Sequence, residues 1–170
     1  MDADMRRKEI SQILSAADAP VSAASLGERF GVSRQVIVGD VALLRACGLD
    51  ISATPRGYLI PREAGGLIRA VACIHGREDT EKELLIIVDN GCSVMDVVVE
   101  HPVYGQLTGE LSLSNRYDVR QFIERLNAEN AAPLSALTGG IHLHHLRCPD
   151  ESAYARTLAA LADAGLLLGD

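Results

Sequence analysis

The stretch Val21-Ser22-Ala23-Ala24-Ser25-Leu26-Gly27-Glu28-Arg29-Phe30-Gly31-Val32-Ser33-Arg34-Gln35 decides how the first third of the chain is read. Ser22 suits the N-cap of a short helix through Ala23, Ala24, Leu26 and Phe30, because a serine oxygen accepts from the orphan amides of a first turn. Gly31 breaks that helix. Ser33 suits the cap of a longer one, in which Val36, Ile37, Val41 and Leu44 recur at helical spacing and which Gly48 ends. Small Ala24 permits a close helix crossing, and Val32 plugs the intervening turn into a core. Upstream, Ile10, Ile13, Leu14 and Ala17 give residues 5–18 the same periodicity behind the basic cluster Arg6-Arg7-Lys8. Pro20, lacking an N–H, closes that helix. Downstream, residues 49–51 and 58–60 are short β-like runs around the turn Thr54-Pro55-Arg56-Gly57.

The predicted order is three helices and a β-hairpin. A short helix, a three-residue turn and a longer helix form the helix-turn-helix pattern, with the hairpin as its wing. The stretch resembles the winged-helix repressors of bacteria. Ser33, Arg34 and Gln35 open the third helix, where side chains reach base edges in a major groove. Arginine bonds guanine and glutamine bonds adenine bidentately, each worth about 1–3 kcal/mol of discrimination. Arg56, at the wing tip, is placed for phosphate or the minor groove. Asp2, Asp4, Asp18 and Asp50 lie outside the turn and third helix, leaving Arg29, Arg34, Arg45 and Arg56 around the reading face. The alternative is a helical module for protein contact.

Charge divides the chain. The net charge over 170 residues is −7, which taken whole argues against a simple polyanion binder. Residues 1–60 balance seven basic against seven acidic side chains, so the whole excess of acid lies beyond them. Two modules with different partners follow from that asymmetry: residues 1–61 for DNA, residues 66–170 for sensing and dimerisation. The joint between them is the breaker-rich Pro61-Arg62-Glu63-Ala64-Gly65-Gly66. Aromatics are 4% of residues with no Trp, which excludes base stacking as the main mechanism. No apolar run approaches the ~20 residues of a membrane span, and no signal core follows Met1, so a cytoplasmic protein is expected. Cys47, Cys73, Cys92 and Cys148 form no CxxC pair and read as reduced core residues.

In the second module, residues 67–74 read as a strand ending at His75. Thr80 is placed to cap a helix bearing Leu84, Leu85, Ile87 and Val88, which Asn90-Gly91 ends. Residues 93–100 and 106–113 read as antiparallel strands around His101-Pro102-Val103-Tyr104-Gly105. Ser114 caps a helix with Val119, Phe122, Ile123 and Leu126. Residues 141–146 form another strand and 152–166 a final amphipathic helix. The order βαββαβα predicts an α+β sandwich, helices packed on one face of a mainly antiparallel sheet.

His142 and His144 lie two apart on a strand and so share one face, whereas His145 points to the other. His75 ends the first strand, and Glu83 on the next helix adds an oxygen donor. Three imidazoles with one carboxylate suit Zn²⁺, Ni²⁺ or Fe²⁺ better than Mg²⁺ or Ca²⁺. Cys73, two residues before His75, shares its face and is either a thiolate donor or buried core. His101, before a proline, is either part of the site or a shaper of the turn.

The segment from His75 to Glu83, the turn His101-Pro102-Val103-Tyr104-Gly105 and Thr138-Gly139-Gly140-Ile141-His142-Leu143-His144 together resemble the three-histidine (3H) domain. That domain occurs joined to a winged helix in the niacin-responsive bacterial repressors of NAD synthesis and niacin uptake genes. The resemblance covers nearly the whole chain in the family's order. It implies a divalent ion, nickel or zinc, held by His75, Glu83, His142 and His144. It also implies nicotinic acid as co-repressor and a homodimer that blocks transcription on operator DNA, with no enzymatic activity. An open position on the metal is expected to accept the pyridine nitrogen or carboxylate of the ligand. His145 has no place in that motif. The alternatives are a metal-dependent hydrolase fused to a DNA-binding module, a repressor sensing the metal itself, and a dimerisation scaffold without ligand.

Overall fold

The computed structural model describes residues 2–61 and 65–169, so the central residues of the expected joint, Arg62, Glu63 and Ala64, lie outside the described residues. The chain divides into two compact units, Met1–Glu63 and Ala64–Asp170.

In the first unit α1 spans Ala3–Ala16, α2 Ala23–Phe30 and α3 Arg34–Ala46. Each start has a side-chain cap: Asp2 accepts from the Met5 amide, Ser22 from Ser25 and Ser33 from Val36. The Asp2 cap explains why α1 begins earlier than its apolar spacing predicts, and the extended backbone at Ala17 ends it. Gly31 ends α2 at φ +64, the left-handed conformation glycine adopts without strain. Ile10, Leu14, Leu26, Ile37, Val41, Leu44 and Ile51 make a closed core, with Val32 packed against it as the turn's plug. Ala24 is exposed, so it is not the crossing point. Gly27 is: a Cβ there would stand 2.7 Å from the Val32 carbonyl oxygen.

The hairpin pairs β1 (Ser52–Thr54) with β2 (Gly57–Leu59), antiparallel. Residues 49–51, expected as its first strand, lie before it. The Leu49 amide bonds the Leu44 carbonyl as part of the α3 cap. The buried Ile51 gives its carbonyl to the Arg45 guanidinium at 2.7 Å rather than to a ladder.

In the second unit β3 (Leu67–Ile74), β4 (Ser93–His101), β5 (Gly105–Leu113) and β6 (Ile141–Cys148) form an antiparallel sheet in the order β3-β6-β4-β5. Helices α4 (Thr80–Asp89), α5 (Arg116–Ala128) and α6 (Glu151–Asp163) complete the unit. Its core joins Val71, Leu84, Ile87, Val94, Leu113, Val119, Leu146 and Leu161, each such aliphatic contributing about 1.5–3 kcal/mol. Strands β3 and β6 pair without a slip, Cys73 opposite His142 and Val71 opposite His144. Strand β4 carries a register shift between Val94 and Asp96.

Two caps and the bounds of the last helix differ from the sequence reading. Thr80 follows a 3₁₀ turn, Arg77–Asp79, and its buried hydroxyl has no hydrogen-bond partner. Asn115, not Ser114, caps α5 by accepting from the Asp118 amide. Asp150 caps α6, which ends at Asp163, so the last apolar residues leave the helix. The Ile74 amide then bonds the Leu166 carbonyl and Leu168 bonds Ala72, covering the β3 edge.

Since a Cβ on Gly27 would meet backbone, the Val32 carbonyl oxygen, rather than a flexible side chain, Gly27→Ala is expected to destabilise the first unit by ~1–3 kcal/mol through overpacking. Urea unfolding followed by helical circular dichroism checks this, with Ala24→Gly as the mild control.

Candidate functional site

The unbroken β3–β6 register puts Cys73, His75, His142 and His144 on one face of the sheet, and α4 lowers Glu83 onto them. The Glu83 side chain is 1% exposed, and those of His75, His142 and His144 are 3–4% exposed. His75 Nε2 lies 2.7 Å from Glu83 Oε2, and His142 Nε2 lies 3.0 Å from Oε1. His144 Nε2 lies 3.4 Å from Oε2 but makes no hydrogen bond. The rings meet edge to face, His75 against His142 at 4.8 Å and His142 against His144 at 4.9 Å.

The opposite nitrogen of every ring faces a backbone carbonyl. His75 Nδ1 is 2.8 Å from the Gly76 oxygen, His142 Nδ1 2.9 Å from Gly140 and His144 Nδ1 2.5 Å from Asp96. A carbonyl only accepts, so each Nδ1 carries the hydrogen and each neutral ring turns an Nε2 lone pair toward Glu83. Three lone pairs and a carboxylate thus converge in a buried space. A cation must sit among them, as protons on the imidazoles or as a metal ion. The orphaned His144 Nε2 and the carbonyl-anchored rings fit a metal, since ligating histidines characteristically donate their other N–H to such acceptors.

Burial opposes ionisation of Glu83, yet the imidazoles of His142, His144 and His75 gathered at its oxygens outweigh it and hold its carboxyl far below the usual range. Burial likewise opposes protonation of His75 and His144, but the Glu83 carboxylate raises both, seconded at His75 by the Gly76 carbonyl and at His144, more weakly, by the Asp96 carbonyl. Cys73, fully buried, is pushed up by burial first and by Glu83 second. Cys73, Glu83 and His142 form a group with metal-ligand spacing.

The backbone supplies what spacing did not reveal. Gly140 has φ +95, and a Cβ on it would stand 2.4 Å from the His75 carbonyl oxygen. The pair Gly139-Gly140 therefore lets β6 begin hard against the end of β3. A cavity of about 240 Å³ opens beside His75, bounded by Arg77, Pro133, Ser135 and Gly139. His145 faces away: its Nδ1 and amide both bond the Asp96 carboxylate, at 2.8 and 2.9 Å. His101 shapes its hairpin, its Nδ1 accepting from the Val103 and Tyr104 amides.

In the first unit, Arg34 and Gln35 are exposed on the opening turn of α3, while the Ser33 hydroxyl is occupied as its cap. Val36, expected in the core, is 39% exposed beside them. Arg56 is half-buried in the β1–β2 turn. Arg45 leaves the expected reading set, bonded to Ile51 and lying 5.7 Å over the Tyr58 ring. Arg6 and Arg7 clamp the buried Asp40 of α3, at 2.6 and 3.3 Å.

Residues 6–59 match the HTH domain and residues 68–170 the 3H domain. The chain belongs to the 3H-domain family of transcription repressors. It is 43% identical to the probable transcription repressor NiaR of Thermotoga maritima, over 96% of this chain and 93% of that protein. It is also 43% identical to the transcription repressor NadR of Bacillus subtilis, over 97% and 94%. The joining of a winged helix to a 3H module, expected from the sequence, is thus a family property. These relatives are named as transcription repressors, and the hydrolase alternative falls away with them. Among the described residues no helix is long and apolar enough to cross a membrane.

The shifts fix a pH dependence for the metal-free 3H module. Glu83, lowered, contributes stability above its ordinary value of 4.5; His75 and His144, raised, contribute it below 6.5 and lose it as pH rises through their folded values. Chelator-treated protein should therefore melt highest between those two pH values and progressively lower toward alkaline pH. Glu83→Gln should flatten that alkaline slope in a pH series of thermal melts.

Proposed function

We propose that this chain represses genes of NAD synthesis or niacin uptake, with nicotinic acid as co-repressor sensed beside a divalent metal. The names of the two relatives support the regulatory class, and the convergence of three carbonyl-anchored imidazoles on buried Glu83 carries the metal. His75, Glu83, His142 and His144 would hold the ion, nickel or zinc. When bound, it supplies a Lewis-acidic point for a pyridine nitrogen or a carboxylate. The cavity beside His75 is smaller than the roughly 300–1,000 Å³ of drug-sized sites, which suits a single-ring acid.

The chain's own groups do the rest. The Gly76, Gly140 and Asp96 carbonyls fix the imidazoles, and Glu83 supplies the charge that makes a cation favourable in a buried site. A co-repressor shifts DNA binding only by its differential affinity for the DNA-competent state, so nicotinic acid binds that state better. A homodimer places two α3 helices on two half-sites. Arg34 and Gln35 read base edges, Ser33 fixes the first turn that presents them, and Arg56 contacts the backbone or the minor groove from the wing.

Thermal shift on metal-replete protein tests this. Nicotinic acid at a hundred times its dissociation constant should add about 2.7 kcal/mol, nicotinamide and quinolinate little, and chelation should abolish the gain. A shift that survives chelation would sink the metal's part; a shift in DNA affinity from the metal alone would favour a metal sensor. In a mobility-shift assay on the cognate promoter, Arg34→Ala should lose about 1–3 kcal/mol of specific over non-specific binding. Equal weakening on all sequences would make Arg34 a phosphate contact.

A further inference from the structure

A buried sulfur borders the Glu83 cluster and is left unused by the four-residue ligand set. Cys73 stands directly across the β3–β6 ladder from His142, so the two side chains leave the sheet side by side on the same face. Both are buried, Cys73 completely. The Cys73 sulfur, a Glu83 carboxylate oxygen and a His142 ring nitrogen all lie within 4.8 Å of one another. With metal–sulfur and metal–nitrogen bonds of about 2.3 and 2.1 Å, donors on opposite sides of one ion stand about 4.4 Å apart. Only one pair of donors can stand that far apart on one ion, so the three side chains must draw closer together than this limit to share it. Val71, the next residue on this face of β3, faces His144 across the ladder. It shows what an inert filler at such a position looks like: an aliphatic side chain with no donor.

We propose that Cys73 is an additional, thiolate ligand of the ion held by His75, Glu83, His142 and His144. The proposal rests on the metal reading above and deepens it. On binding, the metal–sulfur bond forms, the thiol proton leaves to solvent, and no electron changes hands. The ion's own charge inverts the penalty that burial places on an anionic sulfur. A mixed nitrogen, oxygen and sulfur set selects Zn²⁺, Ni²⁺ or Co²⁺ over Mn²⁺ and Mg²⁺ more sharply than imidazole and carboxylate alone.

Cobalt reads the sulfur directly. Reduced, chelator-stripped full-length protein titrated with Co²⁺ should develop a near-ultraviolet thiolate-to-cobalt charge-transfer band that saturates at one equivalent. Cys73→Ser should lose that band, keep the visible ligand-field bands, and bind cobalt more weakly by at least the ~10–100-fold typical of losing even an outer partner. Cys47→Ser, at an exposed position, should keep the band. Cobalt bound with visible bands and no charge transfer would overturn the sulfur ligand and leave the histidine site standing. Persistence of the band in Cys73→Ser would overturn it equally. No cobalt uptake by the unaltered protein would overturn both readings. Should Cys73→Ser fold poorly, Cys73→Ala takes its place in the same titration, and Cys92→Ala and Cys148→Ala, at the other two buried thiols, should keep the band.

Discussion

A carboxylate buried under a sheet organises the 3H module. Placing an ionised Glu83 out of water is unfavourable by several kcal/mol unless cationic or donor partners surround it. The fold answers with imidazoles from both strands of one antiparallel pair, His75 leaving β3 and His142 and His144 on β6. That answer works only in one register. A one-residue slip of β6 would send His142 and His144 to the far face and bring His145 in. The aliphatic core around Leu84, Ile87 and Leu146 holds α4 against the sheet and so holds Glu83 over the histidines. Packing and site therefore fix each other.

The winged unit spends its charge differently. Its zero net charge looks unpromising for DNA, yet much of its acid is used internally. Asp40 is buried in α3 and occupied by Arg6 and Arg7, while Asp2 caps α1. Arg45 braces the hairpin. Outward on the opening turn of α3 stand Arg34, Gln35 and the exposed Val36. Arginine and glutamine supply directional base contacts, and a valine surface matches a thymine methyl. Net charge over sixty residues hid this arrangement because it counts paired and unpaired groups alike.

The sequence displayed those parts of the molecule that depend on periodicity. Helix α2, its Ser22 cap and Gly31 stop, the Ser33 cap of α3 and the one-face placement of His142 and His144 all follow from spacing. Other features depend on backbone routing. Residues 49–51 have β-like composition but are drawn into the end of α3, because the Leu44 carbonyl and the Arg45 guanidinium claim their backbone groups. Thr80 looked like a cap, and the 3₁₀ turn before it removed the geometry a cap needs. Val36 fits the apolar repeat of α3 but falls at its outer margin. His145 had no visible partner in sequence, since Asp96 reaches it only through the β4–β6 pairing and the register shift beside it.

The same reasoning locates where the candidate site is most vulnerable. The groups that orient the imidazoles are carbonyl oxygens of Gly76, Gly140 and Asp96, and no side-chain substitution deletes a carbonyl. Their positions depend on backbone shape: a turn after β3, the shift in β4, and a left-handed glycine entering β6. Gly140 concentrates that dependence. Its carbonyl anchors His142, its amide bonds the Ser135 carbonyl, and its missing Cβ leaves room for the His75 carbonyl at 2.4 Å. A single added methyl group there would push on His75 and rotate the acceptor of His142 together. Gly140 is thus a residue without a ligand atom whose loss would act as the loss of two ligands. The Gly-Gly step before the histidine pair belongs to the chemistry of the site as much as to the turn that carries it.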